Sequence, residues 1–387
     1  MRKLNFSISH PGFFWTIFLI DSITPLLLIL SNIGYNILFL SQIVSILYLF
    51  NAFIVSVKNK LLINKISFLF VLFGFISIFI GVFYNNITFD NSRGSIFGIL
   101  NPLLMMNTAR VYLKNTSLEL VDVHMQRVFK YYIPITIVLY FLYYYYHYVV
   151  QRYVYYGFQT NWQYASVYLL YSGKIILGLF GFFLVLISGK RATLITTLIP
   201  YITKIFSIKK IFKLKNILIF FFILIIIVSL FSYAYKEGYL RRFESTFEMN
   251  LSDSKSLSAG TSGRSDEVLL IIEELNEYKP FIFLGKGLGA TYKVVGEDYT
   301  LEKNFSHIAP AHFSFQFGII FTILLYYFFF QLTFKGFINH RDNIFYNFFL
   351  VVFIGSFFGG NLMVDPKTWF FIGLYFYYRK YYKKIYS

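Results

Sequence analysis

Two histidines, His307 and His312, stand in SHIAPAHFSFQFG, Ser306 to Gly318, just before a run of apolar residues. The chain has only six histidines in 387 residues. Imidazole exchanges a proton near neutral pH, so a histidine at such a boundary suits the deprotonation of a hydroxyl. His307 is the candidate base, set against the plainer reading of a water-facing loop histidine. Pro310 separates it from His312, and a spacing of five does not put the two on one helix face. A zinc site needs three or four ligands, and the chain has no Asp-x-Asp pair to hold a divalent ion beside a diphosphate. No metal and no cofactor are expected.

Three arginines fall near the ends of apolar segments: Arg93 in NNITFDNSRG, Arg191 in LISGKRATL, and Arg264 ahead of SDEVLLIIEELNEY. A guanidinium is always charged and forks onto phosphate oxygens. For Arg93 the simpler reading is a headgroup anchor that snorkels. Arg191, with Lys190 beside it, lies at the junction of two short apolar stretches, where an ionisable residue is a functional candidate. Arg264 precedes an amphipathic helix whose N-terminus is itself suited to an anion. Arg191, Arg264 and that helix end together fit a diphosphate at a bilayer face. The glycine-rich GKGLG, Gly285 to Gly289, is followed by Ala-Thr where a nucleotide-binding loop needs Lys-Ser/Thr, so it reads as a tight turn.

The elements that must position these residues are apolar helices. The chain is 57% hydrophobic and 14% charged, where a soluble protein is about 25% charged. Stretches such as ILIFFFILIIIVSLFSYAY, Ile217 to Tyr235, reach the roughly 20 residues that cross a bilayer. Only a structure that satisfies its own backbone can do so. The expected spans are 12–30, 32–56, 66–84, 95–113, 130–150, 160–173, 175–189, 192–206, 216–235, 314–334, 343–362 and 368–381, an all-α polytopic membrane protein of about 12 transmembrane helices. The tyrosine run in YYYYHYVVQRYVYYG is an aromatic belt at the lipid–water interface. There is no cysteine, hence no disulfide or thiolate chemistry.

The net charge of +17 is unevenly spread. Residues 236–313 hold 12 of the 18 acids and nine of the 35 bases. Basic residues gather in cytoplasmic loops, and on this span count 21 of the other 26 bases face the cytoplasm. The charge is therefore a topology signal and not a nucleic-acid footprint. Both termini are expected inside. Residues 1–235 and 314–387 carry the spans, and 236–313 form one large extracytoplasmic loop. In that loop Asp266 and Glu267 suit the first turn of a helix, with Val268, Leu269, Ile271, Ile272 and Leu275 as its apolar face and Lys279-Pro280 as its stop.

Three local patterns resemble the O-antigen polymerase and O-antigen ligase superfamily of bacterial surface polysaccharide enzymes. SGKRATLI resembles the segment that opens a middle span there. Arginine, amphipathic helix and then PFIFLGKGLG resembles the large periplasmic loop. His307 and Gly318 match the His-to-Gly spacing at that loop's end. Two departures, Ile308 where the ligases carry Asn and Lys190 where Ser is frequent, favour a polymerase. The resemblance implies a fold like the C-type glycosyltransferases in the bacterial cytoplasmic (inner) membrane. It implies metal-independent, inverting joining of undecaprenyl-diphosphate-linked oligosaccharide units into O-antigen, capsule or exopolysaccharide. Flippase and chain-length regulator proteins are the implied partners besides the bilayer. His307 would activate the acceptor hydroxyl, Arg191 and Arg264 would hold the diphosphate, and His312 would position either partner. The alternatives are a ligase transferring glycan to a lipid acceptor and a flippase of lipid-linked oligosaccharide. A transporter would show repeated broken helices, whereas short spans occur once, in 160–206.

Overall fold

Runs of Leu, Ile and Phe with few interior breakers leave the backbone one economical way to satisfy its polar groups, and helix dominates. The computed structural model describes residues 7–30, 36–84, 89–145, 161–187, 191–207, 264–277, 279–295, 300–303, 306–358 and 365–382, with five single residues between 225 and 236. In chain order the elements are α1 (Phe13–Leu30), α2 (Asn36–Asn59), α3 (Lys65–Tyr84), α4 (Phe89–Asn115), α5 (Leu118–Tyr144), α6 (Trp162–Tyr171), α7 (Ile175–Ile187), α8 (Arg191–Ser207), α9 (Arg264–Asn276), α10 (Lys279–Leu284), β1 (Tyr292–Val295), β2 (Thr300–Lys303), α11 (Ala309–Asn339), α12 (Ile344–Phe358) and α13 (Pro366–Tyr382). A helix stands at every expected span position except 216–235, which lies outside the described residues apart from isolated positions. Two of these helices, α3 and α11, are each long and apolar enough to cross a membrane.

The centre of the bundle is α13, apolar all round and buried from Thr368 to Tyr375. Gly373 lets it approach α4 closely, against Ala109 and the Met106 backbone, as small residues do at helix contacts in lipid. Phe14 of α1 stacks on Phe370 at 3.6 Å between ring centroids, and Trp369 meets Phe70 of α3 at 5.0 Å. The outer flanks are the reverse of a water-soluble surface: Phe75 of α3 is 71% exposed and Ile176 of α7 83%. Contiguous apolar surface on that scale fits hydrocarbon.

Residues 160–206 divide into three helices, as expected. The first is only 10 residues long, a rise of about 15 Å. It turns into α7 through Gly173, at φ +83°, with the Lys174 amide donating to the Leu169 carbonyl. Gly178 and Gly181 then pack α7 on the Leu170 and Ser166 backbone of α6.

An all-α chain was expected, and one element departs from it. β1 and β2 pair antiparallel, with Tyr292 opposite Lys303 and Val295 opposite Thr300. With α9, α10 and the start of α11 they form a small cap whose core is Ile271, Leu275, Ala290, Tyr292 and Phe315. The amphipathic face of α9 is also rotated from the expected one. Ile271 and Leu275 are buried, but Leu269 and Ile272 are exposed and Leu270 packs in their place. The partner surface lies to the Glu267–Ile271–Leu275 side of the helix, which includes a carboxylate.

The cap is fixed to the bundle backbone to backbone. α11 breaks at Gly318, whose φ of 87° and ψ of 165° are not helical. A Cβ at Gly318 would lie 2.0 Å from the Phe283 carbonyl oxygen, and one at Gly287 would lie 2.4 Å from the Gly81 nitrogen. The Leu288 amide donates to the Ser77 carbonyl of α3, and the Lys286 amide to the Phe315 carbonyl. GKGLG is thus a turn, with Gly285, Gly287 and Gly289 all at positive φ. The Lys286 ammonium is spent on Glu274 and, at 2.6 Å, on Glu277.

Gly173 and Gly318 share a left-handed backbone but differ in space, since a Cβ at Gly173 meets nothing within 4 Å. Gly173→Ala is expected to cost about 1 kcal/mol of backbone strain, and Gly318→Ala that strain plus a clash with fixed backbone. The thermal midpoint of the purified protein and protease release of the cap measure this. Gly318→Ala should lower the midpoint more and free the cap; equal shifts for the two variants contradict the docking.

Candidate active site

The cap's polar centre is Glu267, one turn into α9 and buried. Its carboxylate accepts the His307 backbone N–H at 3.1 Å, meets the His307 ring Nδ1 at 3.1 Å through both oxygens, and accepts the Lys303 ammonium at 3.1 Å. Burial pushes this carboxyl's pKa up, but the ring and amide of His307 and the Lys303 ammonium pull it down further, to about 2. An ionised Glu267 facing Nδ1 requires the ring proton on Nδ1, which makes Nε2 the basic nitrogen. The His307 side chain keeps 44% of its surface exposed. A carboxylate fixes the tautomer, and the imidazole is exposed at the entrance of α11.

Each supporting element has a local cause. His307 sits in the turn that enters α11, where the Ile308 amide donates to Ser306 Oγ and Pro310 stands in the first helical turn. The buried His312 accepts the Ser306 amide on Nδ1 at 3.2 Å. It holds the His307 turn in place from a buried position. Lys303 reaches Glu267 because it ends β2. In the sequence Glu267 reads as an acid suited to a helix dipole, and Lys303 does not stand out. Their signal was the buried face of α9, which depends on a hairpin with little local pattern.

Arg264 opens α9 one turn before Glu267, so both project to neighbouring sites on the helix. Its guanidinium donates to the Phe358 carbonyl at the end of α12, at 2.6 Å. One of its five N–H groups thus caps α12.

Arg191 opens α8, which packs along α12. Thr203 near the end of α8 bonds Asn347 near the start of α12 at 3.2 Å, so the two helices run antiparallel. From Thr203 back to Arg191 is about 18 Å of helix, and from Asn347 on to Phe358 about 17 Å. The Arg191 backbone therefore stands at the end of the bundle where Arg264 meets Phe358. Arg93 is in the first turns of α4, two residues before Ser95, whose hydroxyl accepts Gln316 Nε2 of α11 at 2.9 Å. That is again the cap end. The side chains of Arg93 and Arg191 are not described, and Lys190 lies outside the described residues. Arg264, His307 and His312 are thus gathered around Glu267, with Arg191 and Arg93 on helices that begin at the same end. Among the described residues no three His, Asp or Glu side chains converge as metal ligands.

No family model, curated protein or solved structure matches this chain.

The depressed pKa of Glu267 carries a pH signature. A carboxylate whose folded pKa lies below its unfolded value near 4.3 contributes stability above that value and loses it as pH falls through the folded one, about 2. The contribution is on the order of 3 kcal/mol. Hydrogen exchange across 264–303, followed from pH 7 down, should show protection that is kept to about pH 4 and then lost. The wild-type-minus-Glu267→Gln difference should vanish at low pH; a pH-independent difference would mean that Glu267 is not ionised in the fold.

Proposed function

We propose that the chain is a multi-pass membrane glycosyltransferase, of about 12 spans, that joins polyprenyl-diphosphate-linked oligosaccharide units at the extracytoplasmic face of the bacterial inner membrane. The observation that carries this reading is the Glu267–His307 pair, a buried carboxylate orienting an exposed imidazole at the mouth of an apolar helix. Arginines at the same end of the bundle supply charge for a diphosphate.

The chemistry balances with these groups. An acceptor hydroxyl gives its proton to His307 Nε2 as its oxygen bonds to the anomeric carbon of the donor. The bond from that carbon to the diphosphate breaks, its electron pair leaving on the phosphate oxygen. Glu267 stabilises the imidazolium, which returns its proton to water. Arg264 and Arg191, with the α9 N-terminus, offset the charge growing on the leaving group. One displacement inverts the anomeric carbon. Lys303 keeps Glu267 ionised, and His312 holds the turn. A ligase would use the same groups on a second lipid acceptor. A flippase would have no use for an oriented base, and the pair therefore favours an enzyme.

Reconstituted protein given one polyprenyl-diphosphate-linked repeat unit tests this. A ladder of longer glycans is expected from the wild type. His307→Ala should reduce it by about 10²–10⁴-fold, and Arg264→Ala should weaken it while leaving insertion intact. A product that appears only with a second lipid acceptor identifies a ligase. No new bond under any condition rejects the enzyme reading.

A further inference from the structure

The cap carries apolar surface that its own core does not use. In α10, Phe281 and Ile282 pack on the cap core, but Phe283 is 54% exposed and Leu284 is exposed beside it. The place of these residues is fixed by backbone contacts. The Phe283 carbonyl and the Leu284 nitrogen lie against Gly318, the break from which the long apolar part of α11 descends. Ile319, Ile320 and Ile323 follow directly and are exposed. On the other side, Gly287 lies on Gly81 of α3, next to the exposed Val82 and Phe83. The outer face of α10 thus continues the apolar flanks of the two helices that are long enough to cross a membrane. α9 differs, because Glu273 stands among its exposed Leu269 and Ile272.

We infer that α10 is a lipid-seated element: Phe283 and Leu284 enter the outer leaflet at the boundary between acyl chains and headgroups, and the occupant of this face is lipid. The inference rests on the reading of the chain as membrane-spanning and not on its chemistry. An amphipathic segment with aromatic and aliphatic residues on one face settles at that depth. Its consequence is positional. Residues 309–317 turn back at Gly318, so that Phe313 meets Phe321 at 5.7 Å between ring centroids and both lie against Phe70 of α3. Seating α10 fixes the depth of the cap, and with it the depth of the Glu267–His307 pair that the cap carries.

The absence of cysteine makes the depth directly measurable. A nitroxide is attached in turn to Phe283→Cys, to Ile323→Cys on the flank of α11 and to Lys293→Cys, at an exposed position of β1, in the full chain in lipid nanodiscs. Collision with oxygen and with a water-soluble nickel chelate is compared. Oxygen access at position 283 matching that at 323, and severalfold above that at 293, is expected. Nickel access at 283 equal to that at 293 overturns the seat while leaving the spans intact. Nickel access at 323 as well overturns the membrane reading on which the seat depends.

Discussion

The site depends on a contact between main chains with no side chains between them. Gly285, Gly287 and Gly318 bring the cap turn, the end of α3 and the break in α11 closer than a β-carbon permits. Hydrogen bonds from Lys286 and Leu288 to the Phe315 and Ser77 carbonyls fix the register of that contact. A side-chain interface could slide by an ångström and repack, but a backbone interface at positive φ has no such freedom. The cap core, with Tyr292 edge-on to Phe315, therefore has one position relative to the bundle. α9 follows from that core, and Glu267 follows from α9.

Glu267 shows how a buried charge is tolerated. Taken alone, burial penalises the anion. Donors from two separate segments, among them the His307 amide and ring and the Lys303 ammonium, outweigh it. The arrangement does two jobs at once. It ties the β-hairpin and the entrance of α11 to α9, and it assigns the imidazole proton to Nδ1. That leaves Nε2 as the ring's basic nitrogen. Arg264, whose guanidinium caps α12, joins the cap to the end of the bundle where α8 begins with Arg191.

Much of this was legible in the sequence, for identifiable reasons. Among the described residues, helices stand at the expected span positions because long apolar runs have one backbone solution. GKGLG announces a turn because glycine is the residue that positive φ selects, whereas the break at Gly318 falls inside the expected span 314–334 and was not read. His307 and Arg264 stood out as polar residues at apolar boundaries. Glu267 did not, since an acid in a first helical turn has a sufficient local explanation and its real partners lie 36 and 40 residues away. The β-hairpin was missed because strands of four residues carry too little alternation to read. The face of α9 was misplaced because six apolar residues in eight, Val268 to Leu275, allow more than one stripe, and the choice is made by Tyr292 and Phe315 from elsewhere in the chain.

The account stands or falls on the oriented imidazole. The direct test is single-turnover glycosyl transfer by reconstituted protein carrying Glu267→Gln, a substitution that keeps the shape and removes the charge that assigns the proton. Bond formation slowed by about 10²-fold or more, with binding of the lipid-linked donor unchanged, is the result the account predicts. Wild-type turnover in that variant would contradict it, and would leave Glu267 as a strut of the cap and His307 without a role in the chemistry.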